Sequence, residues 1–282
     1  MILVFGKTGQ IATELQHSSD VMSLGRDQAD LSDPVACVKV IKNYVPRAII
    51  NAAAYTSVEK AEDEEDLATI INGHAPTEIA RTCAEMQIPL VHISSDYVFE
   101  GSGKAAWKPC DLTVPQTAYG RSKLVGEEGI IGSGATYAIL RTSWVFSAHG
   151  TNFVKTMLRL SETRDSLSVV ADQIGGPTPA RDVSDTCLTI AQQLQEDPSK
   201  SGTYHYSGAP NVSWANFASE IFRQASCTVN VTPVQTAEYP TLATRPLNSR
   251  LDCRTTINTF GLKQPKWGIS LKEILKELKA KV

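Results

Sequence analysis

The sequence predicts an α/β protein: a doubly wound parallel sheet of the Rossmann type, with a smaller C-terminal α/β domain that binds the substrate. Three observations carry this reading. The chain opens on a short apolar run, Met1-Ile-Leu-Val-Phe5, ended by glycine, as a strand buried on both faces of a parallel sheet does. Further short apolar runs alternate with helical patterns. Glycines and a small residue gather where the first strand meets the first helix.

Length and composition narrow the class. A chain of 282 residues forms one large domain or a main domain with an appendage. The division expected here is a nucleotide-binding half, 1–148, and a mainly substrate-binding half, 149–282, some of whose segments return to the first core. With 42% hydrophobic and 20% charged residues, the chain has ample material for a core. A formal net charge of −3 leaves no basic footprint and argues against nucleic acid as the main partner. Six cysteines without a C-x-x-C pair suggest neither zinc nor a disulfide framework, so reduced thiols and a cytoplasmic setting are expected. No run of about 18 apolar residues occurs, so no membrane partner is expected, and the N-terminus begins directly on a strand pattern.

In the turn Gly6-Lys7-Thr8-Gly9-Gln10-Ile11-Ala12, the glycines permit a tight bend and close approach of backbone to phosphate. Ala12 lets the following helix, patterned through Leu15, pack on the strand. The helix N-terminus offers free N–H groups to a pyrophosphate. Val21 to Leu24 reads as a second strand ending in Gly25-Arg26, where NAD-preferring folds carry an acid. Arg26 suits a 2′-phosphate instead, so NADPH is expected, with Asp27 and Asp30 leaving NADH as the alternative. Asp33 and Pro34 start a helix that runs to about Tyr44.

Ala48 to Ala54 supplies a third strand, whose small end, Ala53 and Ala54 included, either lies under a flat cofactor or is an ordinary strand-to-loop transition. Charged residues 59–66 read as a solvated helical stretch, and 67–86 as an amphipathic helical region that Pro76 kinks or restarts. Asn72 on it faces either core or cofactor. Pro89 to Ser95 is the fourth strand. His92 within it reads as a packed core histidine, and Ser95 as either a turn former or a hydroxyl placed to hold a substrate carbonyl.

Residues 118–128 form the next helical pattern, with Tyr119 and Lys123 four apart on one face. A free tyrosine titrates near pH 10. A neighbouring ammonium pulls that value down and fits the phenol for proton transfer, although the same spacing also occurs in ordinary surface pairs. Thr136 to Leu140 is a fifth strand, which puts Trp144 at a carboxyl end, to pack on a sugar face or in the core. A helix over 151–163 and a sixth strand, Leu167 to Val170, follow. The turn-rich loop Asp172-Gln173 to Thr178 is suited to wrap a nucleotide. Residues 181–195 read as helix, and short strands and amphipathic helices lie beyond Gly202. Arg245 meets a diphosphate or is a solvated arginine.

The glycine turn, Ser95 and Tyr119-x-x-x-Lys123 make the first 145 residues resemble the extended short-chain dehydrogenase/reductases. The strings NAAAYTSVEKAE, SSDYVFEG, AYGRSKLVGE, RTSWVF, NFVKTMLRL, DQIGGPT and RPLNSRLD are similar to the dTDP-4-dehydrorhamnose reductase family along the whole chain. That resemblance implies reduction of the C4 keto group of a dTDP-4-dehydro-sugar, with Ser95, Tyr119 and Lys123 as the catalytic set. It implies cofactor contacts from Gly9 to Ile11, Asp30, Leu31, Ala54, Tyr55, Thr56, Tyr119 and Lys123. It also implies sugar-nucleotide contacts from Asp96 and Trp144, to which Ser95, Tyr97, Gln173 and Arg245 are added as candidates. Some members join subunits through Mg²⁺ held by glutamates. Glu14 and Glu277 match two of those positions, but Arg181 stands at the third, so no metal is expected and the chain is a monomer or homodimer. The alternatives are an epimerase or dehydratase of the same superfamily, which returns its hydride, and a non-catalytic NADP-binding regulatory subunit.

Overall fold

The structure, a computed structural model, describes residues 1–278. Strands β1 (Ile2–Phe5), β2 (Val21–Leu24), β3 (Ala48–Asn51), β4 (Leu90–Ser95) and β5 (Tyr137–Thr142) belong to one central sheet. Its sixth member comes from much later in the chain, and the spatial order is β10-β5-β4-β3-β1-β2, with every pair parallel. β10 is Gly202–His205. The strand order therefore reverses between β1 and β3, which opens a crevice at their carboxyl ends.

Each strand reads as a continuous apolar run because both faces are covered. Leu3, Phe5, Ile49 and Leu90 pack on Cys37 and Ile41 of α2 (Pro34–Tyr44) and on Ile79 and Cys83 of α5 (Ala75–Met86). On the other face Ile2, Val4, Ile50 and Val91 meet Leu15 of α1 (Gln10–Leu15) and Val183, Cys187 and Ile190 of α8 (Ala180–Glu196). α8 and β10, both from the second half, thus complete the first core.

Between β3 and α5 lie α3 (Val58–Ala61) and α4 (Glu65–Thr69), and then a π turn over Ile70–His74. The expected restart at Pro76 takes this form. Proline has no N–H and its ring crowds the carbonyl four residues back, so the helix widens ahead of it. β3 stops at Asn51, and Ala52 to Ala54 leave the ladder as loop.

The remaining elements form smaller layers. β6 (Val145–Phe146) pairs with β9 (Thr178–Pro179), and β8 (Ile174–Gly175) lies between β11 (Val212–Ser213) and β13 (Asn248–Ser249). The strand read as the sixth, here β7 (Ser166–Val170), stands outside the central sheet and pairs with β12 (Asn230–Val234). Only its Leu167 and Val169 are buried, so one face is covered. They join a second core with α7 (Phe153–Ser161), α9 (Trp214–Gln224) and α11 (Trp267–Glu277). α10 (Arg254–Phe260) caps the sheet beside β10.

Helix α6 (Ala118–Ile131) packs directly on the π turn. A Cβ on Gly126 would collide with the Asn72 carbonyl, and one on Gly129 with the Thr77 side chain. Gly126→Ala should therefore destabilise the fold by roughly 1–3 kcal/mol, by forcing α6 off this contact. The check is a denaturant midpoint at unchanged slope. A midpoint equal to that of the wild type would mean that the contact is not tight.

Candidate active site

The crevice deepens into a cleft of about 1570 Å³ at the carboxyl ends of the central strands. Gly6 to Ile11 line one end. Gly6 adopts φ +115°, a conformation that favours glycine, and a Cβ there would press on the Ala52–Ala53 backbone. A Cβ on Gly9 would meet nothing within 4 Å, and no side chain caps the first turn of α1, so the backbone there is open to a ligand. Arg26, Asp30 and Leu31 line the same end. Arg26 is exposed and forms no ion pair among the described residues. The Asp30 carboxyl is held below its ordinary value, first by the Ser32 backbone N–H at 2.9 Å and, more weakly, by Arg26. Ala53, Ala54 and Thr56 form the floor.

Two expected cofactor contacts stand apart from the cleft. Asn72 is buried, accepts the Tyr55 N–H at 2.8 Å, and donates to the Tyr55 carbonyl at 3.0 Å and to Ser122 Oγ at 3.0 Å. It ties the loop after β3 to α6 and belongs to the core. The Tyr55 side chain turns away, and its hydroxyl donates to Glu64 at 2.7 Å.

Ser95, Tyr119 and Lys123 converge on the cleft. Thr117 caps α6 by accepting from the Gly120 N–H at 3.1 Å, which sets Tyr119 in the first turn. As a residue Tyr119 is only half-buried, but protein surrounds its hydroxyl end. Tyr97 packs edge-to-face on it, with centroids 5.5 Å apart. Burial pushes the phenol well above its ordinary range. The nearby Ser95 hydroxyl opposes this, while Asp96 and Tyr97 add to it.

This corrects the expectation that Lys123 pulls the tyrosine down. Lys123 Nζ is turned to β4: it donates to the Ile93 carbonyl at 2.7 Å and lies 3.1 Å from His92 Nε2. Burial lowers its own value to about 8, against the opposing charge of Glu127. The phenol therefore keeps its proton at neutral pH.

His92 is buried, as read from the sequence, but it also connects Lys123 to Asn51, whose Nδ2 lies 3.1 Å from Nδ1. Burial, then Lys123, lowers its value far enough to keep the ring neutral. One helical turn beyond Lys123, Glu127 is buried against Arg141 of β5, with Nη2 2.6 Å from Oε2. The spacing 119, 123, 127 was the available sign of this residue, since it continues one helix face.

At the other end Ser95 Oγ donates to Asp96 Oδ1 at 3.1 Å and accepts from the Tyr97 N–H at 3.2 Å. Burial raises the Asp96 carboxyl to about 6, against contacts with Ser249 and Ser95. Trp144 has φ +51°, a strained conformation for a bulky residue, and its ring stacks on Trp214 with centroids 3.6 Å apart. Trp214 also lines the cleft and carried no sequence signal as a site residue. Gln173 lines it too, and donates to Thr236 Oγ1 at 3.1 Å. Arg245 is ion-paired with Glu59 and donates to the Tyr97 hydroxyl at 3.0 Å.

The residues matching the Mg²⁺ positions do meet. Arg181 Nε lies 3.3 Å from Glu14 Oε2, and its Nη2 3.9 Å from Glu277 Oε2. His149 Nε2 is 3.6 Å and 3.7 Å from the same two carboxylates. A guanidinium between the carboxylates fills the place of a cation, so this donor set does not fit a divalent metal. Among the described residues no helix is long and apolar enough to cross a membrane.

Residues 1–280 match the family model described as the RmlD substrate binding domain. A dTDP-4-dehydrorhamnose reductase of Sinorhizobium fredii is 40% identical, over 97% of this chain and 96% of its own. A dTDP-4-dehydrorhamnose reductase crystal structure from Clostridium acetobutylicum superposes with a TM-score of 0.91 at 36% identity, covering 99% of each chain. One from Bacillus anthracis, in complex with NADP, gives 0.90 at 35% identity and 98% of each chain.

The Asp96 carboxyl offers a test of the electrostatics. Its folded value, about 6, lies above the ordinary 3.8, so the folded protein retains a proton that the unfolded chain has lost. Its contribution is most favourable below the unfolded value and is lost as pH rises through the folded one. Asp96→Asn should match the wild type in thermal melts near pH ~4 and exceed its stability above pH ~7, by up to roughly 3 kcal/mol. Equal stability at both pH values would remove burial as the dominant cause.

Proposed function

The chain belongs to the RmlD substrate binding domain family, that of the dTDP-4-dehydrorhamnose reductases, and on this premise we propose that it reduces the C4 keto group of dTDP-4-dehydro-L-rhamnose to the alcohol, with NADPH as reductant. The observation that carries the reading is a half-buried, protonated tyrosine that shares with Ser95 and Lys123 a cleft running from a glycine-lined phosphate cradle to an aromatic wall. The proposed division of labour gives the cofactor mainly to residues 1–148 and the sugar nucleotide mainly to 149–282. The proposed setting is the cytoplasm; all six cysteines are free.

NADPH, when bound, supplies the hydride to C4. The chain does the rest. Gly6 to Ile11 receive the pyrophosphate on open backbone N–H groups. Arg26, which forms no ion pair among the described residues, meets the 2′-phosphate. Ser95 gives its hydroxyl proton as a hydrogen bond to the C4 oxygen. Tyr119 transfers its own proton to that oxygen as negative charge develops, so that carbonyl, hydride and proton together make the alcohol. Lys123, held by the Ile93 carbonyl and His92 and lining the cleft one helical turn from Tyr119, contacts the cofactor. Asp96, Trp144 and Gln173 take the sugar and nucleotide, and Arg245 stands at the diphosphate side.

The wild-type protein should consume NADPH with dTDP-4-dehydro-L-rhamnose, followed at the nicotinamide absorbance band. No net consumption, with the sugar interconverted, would favour the epimerase or dehydratase reading; binding without turnover would favour a regulatory subunit. Tyr119→Phe removes only the hydroxyl and should lower kcat by about 10²–10⁴-fold with NADPH affinity nearly unchanged. Retention of more than about a tenth of kcat would sink the proton-donor role. Arg26→Ala should raise KM for NADPH by about tenfold or more and leave that for NADH little changed, because only NADPH carries the extra phosphate. An equal effect on both cofactors would place Arg26 elsewhere.

A further inference from the structure

Glu59 lies on α3, just past the loop that floors the cofactor end of the cleft, and no role in the reduction above requires it. Both of its carboxylate oxygens are nevertheless used across the cleft. Oε1 meets Arg245 Nη2, and Oε2 accepts the Ala243 backbone N–H at 2.9 Å. Both partners belong to the connection between β12 and β13, which lines the cleft through Thr241, Arg245 and Pro246. At its start the connection is tied down by Thr236, whose N–H and hydroxyl both donate to Asp172, but the stretch after Glu238 is held less closely. Leu242 and Tyr239 are largely exposed, at 68% and 55%, whereas Ala243, where Glu59 grips, is 1% exposed. The next fixed point is Pro246, which packs on Gly101 so closely that a Cβ there would come within 2.5 Å of it. Asn248 N–H then donates to the Gly101 carbonyl at 2.9 Å.

The contacts continue inward. Arg245 Nη1 donates to the Tyr97 hydroxyl at 3.0 Å, and the Tyr97 ring stands at 77° to that of Tyr119. Tyr97, Tyr119, Thr241, Arg245 and Pro246 all line the cleft. A carboxylate on the cofactor side therefore reaches, through one guanidinium, the ring against which the acid is set. A charge-assisted bond to a fixed arginine and a backbone N–H in one side chain makes a directional clamp, where a lone surface ion pair would not.

We propose that Glu59 is a positioning residue for the reduction: it pins the 241–246 segment over the cleft and, through Arg245 and Tyr97, holds Tyr119 in place for the sugar nucleotide. This rests on the reductase reading above. Arg245 then serves two purposes, bracing Tyr97 and presenting positive charge to the anionic substrate, and Glu59 aims it for both. Loss of the clamp frees the segment and misplaces the wall by a small distance, to which proton transfer and substrate binding are sensitive.

The test uses the whole protein. Glu59→Ala should raise KM for dTDP-4-dehydro-L-rhamnose by about tenfold and lower kcat several-fold, with KM for NADPH unchanged. Arg245→Ala should show a similar pattern, and the double variant should be no worse than the poorer single, since the two act as one unit. Fully additive losses, or an equal rise in both KM values, would overturn the proposal. A second readout does not depend on the substrate. Hydrogen exchange at the Ala243 amide should be slow in the wild type and markedly faster in Glu59→Ala, and intermediate in Glu59→Gln, which keeps an acceptor but loses the charge. Unchanged exchange in both variants would overturn the clamp whatever the chain reduces. Wild-type protein that fails to turn over this substrate, while Ala243 exchange still responds to Glu59, would instead count against the reductase reading.

Discussion

The site depends on the buried ion pair between Glu127 of α6 and Arg141 of β5. Both side chains are almost inaccessible, and the guanidinium also reaches the Pro109 carbonyl at 3.1 Å and lies 4.9 Å from the centre of the Phe99 ring. Ser94 donates to the same glutamate from β4. Two charges removed from water are tolerable only when their remaining donors and acceptors are used, as here, and loss of one partner from such a pair typically costs about 3–5 kcal/mol. Its effect is geometric as much as energetic. It locks α6 to the two strands whose ends carry Ser95 and Thr142, one turn below Lys123 and two below Tyr119. The acid and the serine are thereby referred to the same piece of sheet.

Burial then does the electrostatic tuning. Tyr119 is kept as a phenol, Lys123 is lowered to about 8, Asp96 is raised to about 6, and His92 is kept neutral, each with desolvation as the largest cause. A neutral imidazole beside Lys123 holds the amine without supplying a countercharge. Tyr119, Lys123 and Asp96, all shifted from their ordinary values, line one cleft, as groups at functional sites do.

The α1, α8 and α11 surface shows the opposite use of charge. Glu14 and Glu277 meet Arg181 and His149 within one chain, so protein groups occupy the space between the carboxylates. An arginine at the third position changes a chelating arrangement into an ion-pair network, in which Arg181 and Glu277 are exposed enough to be screened by salt while Glu14 is buried.

Much of this was legible in the residues. Short apolar runs located the first five central strands, Asp33 and Pro34 marked the start of α2, and Pro76 marked the break before α5, because these signals are local: strand periodicity, cap hydrogen bonds and a missing N–H. The glycine turn, Ser95, Tyr119 and Lys123 were legible for the same reason, since a strand end and a single helix face bring them close. Direction and partnership were not legible. β7 has the pattern of a strand but pairs with β12, and β10, 60 residues after β5, takes the sheet's last place beside it; nothing local specifies which edge a strand finds. Asn72 spans to Tyr55 and Ser122, Lys123 turns to His92, and Glu59 reaches Arg245 far along the chain. The sequence by itself determined the elements and the chemical inventory of the cleft. Only the tertiary structure decided which polar group each buried donor and charge would find, because those partners are far apart in the chain and are selected by the cost of leaving a buried group unpaired.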